Sequence, residues 1–201
     1  ARVLRAPDPA DEAWRCQSEH HADPTVRELG HAFAADAAVA VVGWPERIGP
    51  ALASRGDIEV RVVDVAGDGP GFARMLERLD VPTRDVPAEG LAPAVADAHV
   101  AVIEAQVVGP DLLVAAPGSW AVAAVARAAA VPVWLVGGRG RVVPGGLWPA
   151  LTARLVTPDR PPWEQGFDLV PLSLVDRWAG DRGLEAVADA LARVDTPDVA
   201  E

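Results

Sequence analysis

The chain of 201 residues contains no lysine, no tyrosine and a single cysteine, Cys16. Each absence removes a class of chemistry. Without lysine there is no Schiff-base nucleophile, and any cationic contact to a ligand must come from arginine. One cysteine allows neither an internal disulfide nor a multi-cysteine metal centre, so the simplest setting is a reducing cytoplasm. No uncharged apolar run approaches the roughly 18 residues of a membrane-spanning helix, so no membrane is expected. No basic segment followed by an apolar stretch opens the chain, and no secretion signal is expected. The first residue is Ala1 rather than Met, which leaves the start of the gene product open.

Positive charge is also scarce. The 18 basic side chains, all arginine, face 29 acidic ones, for a net charge of −11. Nucleic-acid binding draws its affinity from neutralising phosphates, so no nucleic-acid partner is expected. The bias to Arg, Ala, Val, Gly and Pro fits a high-GC, bacterial-like coding background. Arginine usage by itself is therefore not a functional signal.

What is present is an alternation of short apolar runs with amphipathic stretches, over a length sufficient for one α/β domain. Residues 100–103 and 133–136 are nearly uninterrupted apolar runs, as in strands buried on both faces of a parallel sheet. Between them Ser119 stands at a helix N-cap position, and Val122, Val125 and Ala129 follow at helical spacing. A helix starting beyond a strand's carboxyl end aims its N–H groups at the place where open α/β sheets bind anions. Runs at 39–42 and 58–65 predict two more strands, with a short one near 83–86.

Helices are predicted from Asp23-Pro24 to about residue 37, ending at Leu52, through Phe72 to Leu79, over 91–96 and over 184–194. Residues 137–146 form a glycine-rich excursion, 147–155 a helix or a cap on the sheet, and 158–166 a loop. Residues 1–22 read as an irregular arm with a short helix near 11–17. The expected organisation is an N-terminal arm and helix over 1–37, then a single α/β domain over 38–201, with a mostly parallel sheet and helices on both faces.

Three separated segments, residues 97–106 (DAHVAVIEAQ), 118–136 (GSWAVAAVARAAAVPVWLV) and 167–183 (FDLVPLSLVDRWAGDRG), resemble one family. It is the carboxyl-terminal domain shared by the regulatory subunits of translation initiation factor 2B, methylthioribose-1-phosphate isomerase and ribose-1,5-bisphosphate isomerase. The family pattern runs V-D-x-V-x-x-G-A-D, N-K-x-G-T before a helix ending in V-P, then F-D-x-T-P. Its order and approximate spacing agree over roughly residues 38–183. The resemblance implies a Rossmann-like sheet, a phosphorylated small-molecule site and pairing of chains through this domain.

The departures are informative. The isomerases carry a cysteine in the loop after the first strand, where this chain has Gly43, Trp44, Pro45, Glu46 and Arg47. The family aspartate falls on Gln106, and an amide cannot relay a proton as a carboxyl does. The N-K pair falls near Ala116-Pro117, and the Arg-Pro after the second strand on residues 67–70 (GDGP). The long N-terminal helical region of the family would here be reduced to residues 1–37.

The candidate catalytic groups are therefore Glu104, as a relocated acid/base or merely a solvated loop carboxylate, and Gln106. The candidate ligand contacts are Gly118 and Ser119 at the helix start, Arg139 and Arg141 on the glycine loop, and Gly43, Trp44 and Arg47 on the loop after the first strand. The arginines could instead be exposed loop residues. Trp44, Trp120 and Trp163 either stack on a ligand, fill the pocket or pack in a dimer. Adjacent His20 and His21 point apart, so with Cys16 they make no metal site; no metal and no cofactor is expected. His99 reads as packing and Asp168 as a structural cap, while Glu46 and Asp64 are weaker polar candidates. The expected function is binding of a small phosphorylated ligand, a sugar phosphate or nucleotide, without the isomerase reaction, in a homodimer. The alternatives are an aldose–ketose isomerase with a replaced catalytic set, and a non-catalytic dimeric interaction subunit.

Overall fold

Two interleaved sets of apolar side chains along each central strand organise the chain. In the computed structural model, which describes residues 3 and 6–193, strand β1 (Ala38–Val42) is buried throughout. Its Val39 and Val41 join one core with Leu29, Ile48, Leu52, Phe72 and Leu76. Its Ala40 and Val42 join the other with Ile103, Val122, Ala126 and Ala190. Successive strand residues point to opposite faces, so a sheet covered on both sides needs an unbroken apolar run. Each large side chain fully withdrawn from water contributes about 1.5–3 kcal/mol.

Along the chain, helices α1 (Pro9–His21) and α2 (Thr25–Ala32) precede β1. Then come α3 (Ile48–Ala53), β2 (Glu59–Asp64), α4 (Gly69–Glu77), β3 (Thr83–Pro87), α5 (Leu91–Ala96) and β4 (Val100–Val108). Next are β5 (Leu112–Ala115), α6 (Ser119–Ala128), β6 (Val133–Val136), α7 (Trp148–Leu155) and β7 (Asp168–Pro171). Strands β8 (Arg177–Gly180) and β9 (Gly183–Glu185) and helix α8 (Val187–Leu191) complete the described elements. No helix among them is long and apolar enough to cross a membrane.

The main sheet runs β3-β2-β1-β4-β6-β8-β9. Pairing is parallel from β3 through β8, with Val39 beside Val100 and Ile103 beside Leu135. The four strands expected from apolar runs thus lie in one parallel sheet. The chain leaves β1 in one direction along the sheet and returns to its other side at β4, so β1/β4 is the topological switch point. Open α/β sheets bind ligands in the crevice outside that point.

Several expectations are corrected. The fourth strand does not stop at Ile103; β4 continues to Val108 and turns into an antiparallel ladder with β5, which pairs in turn with β7. A bulge leaves Gln106 as the extra residue between Ala105 and Val107, and such bulges bend a strand and re-aim its side chains. Within the N-terminal arm, Pro9–His21 forms a 13-residue helix rather than a short one, because the Asp8 carboxylate accepts the N–H groups of Ala10 and Asp11 and Pro9 starts the helix. Helix α2 ends at Ala32 rather than near residue 37, since Phe33 turns extended to stack on Trp134 at 5.6 Å. The closing helix loses its first residues to β9, which forms a hairpin with β8; position 194 lies outside the described residues.

Gly118 is the N-cap of α6, one residue before the predicted Ser119, with φ +91°. A Cβ there would lie 2.6 Å from Val65 Cγ2. Gly118→Ala is expected to lower unfolding stability in urea by about 1–3 kcal/mol, the cost of a strained left-handed residue. An unchanged midpoint would contradict this geometry.

Candidate functional site

A cleft of about 670 Å3 opens at the carboxyl ends of β1 and β4. Its floor is Val42, Val102 and Ile103, and Trp44, Pro45 and Ile48 wall one side. Polar side chains converge on it from four segments: Glu46 after β1, Asp68 before α4, Glu104 and Gln106 on β4, and Ser119 on α6. Arg141 and Gly166 complete the lining.

Glu104 is held rather than solvated. Its Oε2 accepts the backbone N–H of Arg47 at 2.8 Å. Burial pushes its carboxyl above the usual glutamate range; the N–H groups of Arg47 and Ile48 and the charges of Arg141 and Arg47 offset only part of that push. The carboxyl pins the loop after β1 to β4.

Arg141 reaches the cleft because the bulge and the glycine loop lock together. Val108 donates its N–H to Arg141 O, and Val143 donates to Val108 O, both at 2.8 Å. The Arg141 guanidinium donates to the bulge carbonyl of Gln106 at 2.8 Å. One end of the fork is thereby anchored, and the arginine contributes to the field at Glu104.

The structure separates the other candidates. Arg47 sends its guanidinium away from the cleft, to Asp23 at 3.0 Å and to the His20 ring, and only its backbone N–H meets Glu104. Arg139, two residues before Arg141, pairs with Asp181 at 3.1 Å and lines a different cavity. Gly43 makes the turn, with φ +59° and its N–H bonded to Val63 O. Trp44 lines the cleft with its ring 5.8 Å from Phe72, whereas Trp120 and Trp163 do not line it.

The start of α6 holds a carboxylate of the chain itself. Asp168 Oδ2 accepts the Trp120 N–H at 2.8 Å, so the reading of Asp168 as a cap is correct and part of the expected anion seat is filled internally. Ser119 is buried and lines the cleft. His99 accepts the Ala38 N–H through Nδ1 at 2.8 Å, a structural role at the strand start. Asp64 accepts the N–H groups of Gly67 and Gly69 and shapes the loop before α4. Among the described residues no group of three or more His, Cys, Asp or Glu is placed to hold a metal ion.

Sequence reasoning missed Asp23 as a network residue. Its carboxylate is buried and accepts the Thr25 N–H and hydroxyl, the Arg47 guanidinium and the Arg139 N–H. Burial pushes it up, but these hydrogen bonds and the Arg47 charge outweigh that and hold it below the usual aspartate range.

At the level of sequence, no protein-family model and no curated protein matches the chain. Solved structures do. The beta subunit of initiation factor 2B from Chaetomium thermophilum superposes with a TM-score of 0.70 at 15% identity over 89% of this chain. The chain has the initiation factor 2B fold. A chain of the tetrameric beta2-delta2 complex from the same organism gives 0.72 at 15% identity over 92% of this chain. The translation initiation factor 2B of Pyrococcus horikoshii gives 0.70 at 14% over 91%. The chain spans 57% of the Chaetomium beta chain, 62% of the complex chain and 70% of the Pyrococcus chain. The resemblance seen in three sequence segments thus holds as a resemblance of fold, at 14–15% identity.

The raised pKa of Glu104 has a thermodynamic consequence. A carboxyl that holds its proton more tightly when folded contributes stability below the unfolded glutamate pKa, and loses it as pH rises through the folded value. Glu104→Gln keeps the acceptor oxygen and removes the charge. Its Tm is expected to match the parent near pH ~4 and to exceed it near pH ~8, where the parent must keep a buried charge. A difference independent of pH would contradict the burial of a charged Glu104.

Proposed function

We propose that the cleft at the β1/β4 switch point binds a small sugar monophosphate, and that the chain does not perform the isomerisation of the enzymes it resembles. The observation behind this reading is the convergence of Glu104, Gln106, Ser119 and Arg141 on one cleft. Three carboxylates, Glu46, Asp68 and Glu104, and one guanidinium line it. Carboxylates and an amide oxygen accept hydrogen bonds from sugar hydroxyls, while Arg141 and the Ser119 hydroxyl suit one phosphoryl group. A nucleoside triphosphate brings more negative charge than a single arginine offsets, so a monophosphate is preferred over it.

The positions that the family resemblance aligns with catalytic residues also border this cleft, but with other chemistry. Gln106 takes the place of the aspartate, Ala116-Pro117 that of the Asn-Lys pair, and the loop with Trp44 to Glu46 that of the cysteine. Groups that act as a unit leave little activity when all are replaced. One observation favours a second reading, a sugar-phosphate isomerase with a new catalytic set: Glu104 has a raised pKa and shares the cleft with Glu46.

Self-association is part of the proposal. Trp14, Trp120 and Trp163 are 69%, 50% and 83% exposed, and large exposed aromatics are the type of surface that interfaces bury. The Chaetomium structure in the comparison is a tetrameric complex, and a homodimer is the assembly we infer for this chain.

A thermal-shift panel of pentose and hexose monophosphates against adenosine triphosphate tests the ligand. One sugar monophosphate is expected to raise Tm, with about 2.7 kcal/mol of stabilisation at a hundredfold excess over Kd. Arg141→Ala should abolish the part of the shift that inorganic phosphate does not reproduce, and Arg139→Ala should retain that part. The sugar should be recovered unchanged by NMR. Conversion to its ketose isomer, lost in Glu104→Gln, would replace this reading by the isomerase one.

A further inference from the structure

A second cavity lies on the other side of the glycine loop, at the carboxyl ends of β6 and β8. It measures about 140 Å3, below the roughly 300 Å3 of pockets that take ring-sized ligands. Three arginines line it, Arg139 from the loop after β6, Arg182 from the β8–β9 turn and Arg193 beyond α8, against one carboxylate, Asp181. Glu185 and Asp189, beside the cavity, act on Arg193 together with Asp181, so the guanidinium that stands without a paired carboxylate among the described residues is Arg182.

Two of the three are already oriented. Arg139 donates through Nε and Nη2 to Asp181 Oδ2, at 3.3 and 3.1 Å. Arg193 donates to Glu185 Oε1 and to the Asp189 carbonyl. Each carboxylate engages only part of a five-donor fork. Arg182 is exposed and makes no ion pair among the described residues. The Trp178 indole, buried under Gly137 and Gly180, closes the cavity floor. The glycines at 137 and 138 are explained by packing, since a Cβ would strike Trp178 at one and Arg47 and Asp23 at the other. Gly140, by contrast, has φ +75° and open space around it, so the loop backbone is left free beside the cavity.

We propose that this cavity is a binding site for a tetrahedral oxyanion, inorganic phosphate or the terminal phosphoryl group of a small monoester, with Arg182 as its principal cation and Arg139 and Arg193 as flanking donors. It is separate from the sugar-phosphate cleft, with which it shares no lining residue. Guanidinium–phosphate contacts are charge-assisted and bidentate, so one free fork beside two partly engaged ones gives a specific seat.

Isothermal titration of the full chain with inorganic phosphate, at ionic strength held constant with chloride, tests it. The expected result is saturable binding that weakens roughly tenfold or more in Arg182→Ala, the loss of one charge-assisted contact, and disappears in Arg182→Glu. Arg182 is a turn residue on the surface, so both variants should keep the parent's circular dichroism spectrum. Arg141→Ala, which alters only the cleft, should leave the Arg182-dependent phosphate binding in place. Glycerol phosphate in a parallel titration distinguishes the sources: equal affinity assigns a terminal phosphoryl group, and weaker affinity assigns the free anion. Either binding pattern supports the site. Phosphate binding lost in Arg141→Ala but kept in Arg182→Ala would overturn it, as would a response that chloride reproduces.

Discussion

The buried carboxylate of Asp23 is the contact on which the arrangement of both cavities depends. It receives donors from its neighbour Thr25 at the start of α2 and from two segments distant in sequence, Arg47 after β1 and Arg139 after β6. The Arg47 and Asp23 side chains are only 12% and 3% exposed, so their pairing is screened little by solvent. A carboxylate this deep is tolerated because its oxygens are occupied by charged and N–H donors. Two loops at the carboxyl edge of the sheet are thereby tied to the N-terminal helices. With Arg47 fixed, its backbone N–H meets Glu104; with residue 139 fixed, the loop can return along β4 and deliver Arg141.

The two arginines of the glycine loop therefore divide their labour. Gly140, at φ +75°, turns the backbone between them. Arg139 is directed toward Asp181 and Arg141 toward the bulge carbonyl of Gln106. The bulge is the second device, since an unbulged β4 would not present the Gln106 carbonyl as an unpaired acceptor. The cleft keeps the location expected for a ligand site in this fold. Its lining of three carboxylates and one arginine suits hydroxyl recognition better than binding of a polyanion.

What was legible in the sequence was what repeats at short range. Residues 39–42, 100–103 and 133–136 are apolar on both faces, and only a parallel sheet covered by helices accommodates such runs. The helix start at Gly118 and Ser119 was legible to within one residue. What was not legible depends on partners far away along the chain. The four residues of β5 have no place in the expected alternation of parallel strands and helices, since they pair antiparallel with β4 and β7. Asp168 caps a helix that begins 49 residues earlier, at Ser119, and Arg47 is drawn from the cleft by Asp23. Helix α1 has no apolar periodicity to reveal it, and only its Asp8-Pro9 cap announces it. In the cleft, Glu104, Gln106 and Arg141 were identified by residue, but the reason they meet is the bulge, and no local pattern encodes it.

Of the seven tryptophans, Trp44 alone lines the cleft. Its indole N–H is therefore a reporter of the proposed site within the intact chain. In a heteronuclear NMR titration with a sugar monophosphate, the Trp44 indole resonance is expected to shift saturably while those of Trp14 and Trp163 stay in place. A titration that moves Trp120 or Trp163 and leaves Trp44 unchanged would contradict a ligand site at the β1/β4 switch point.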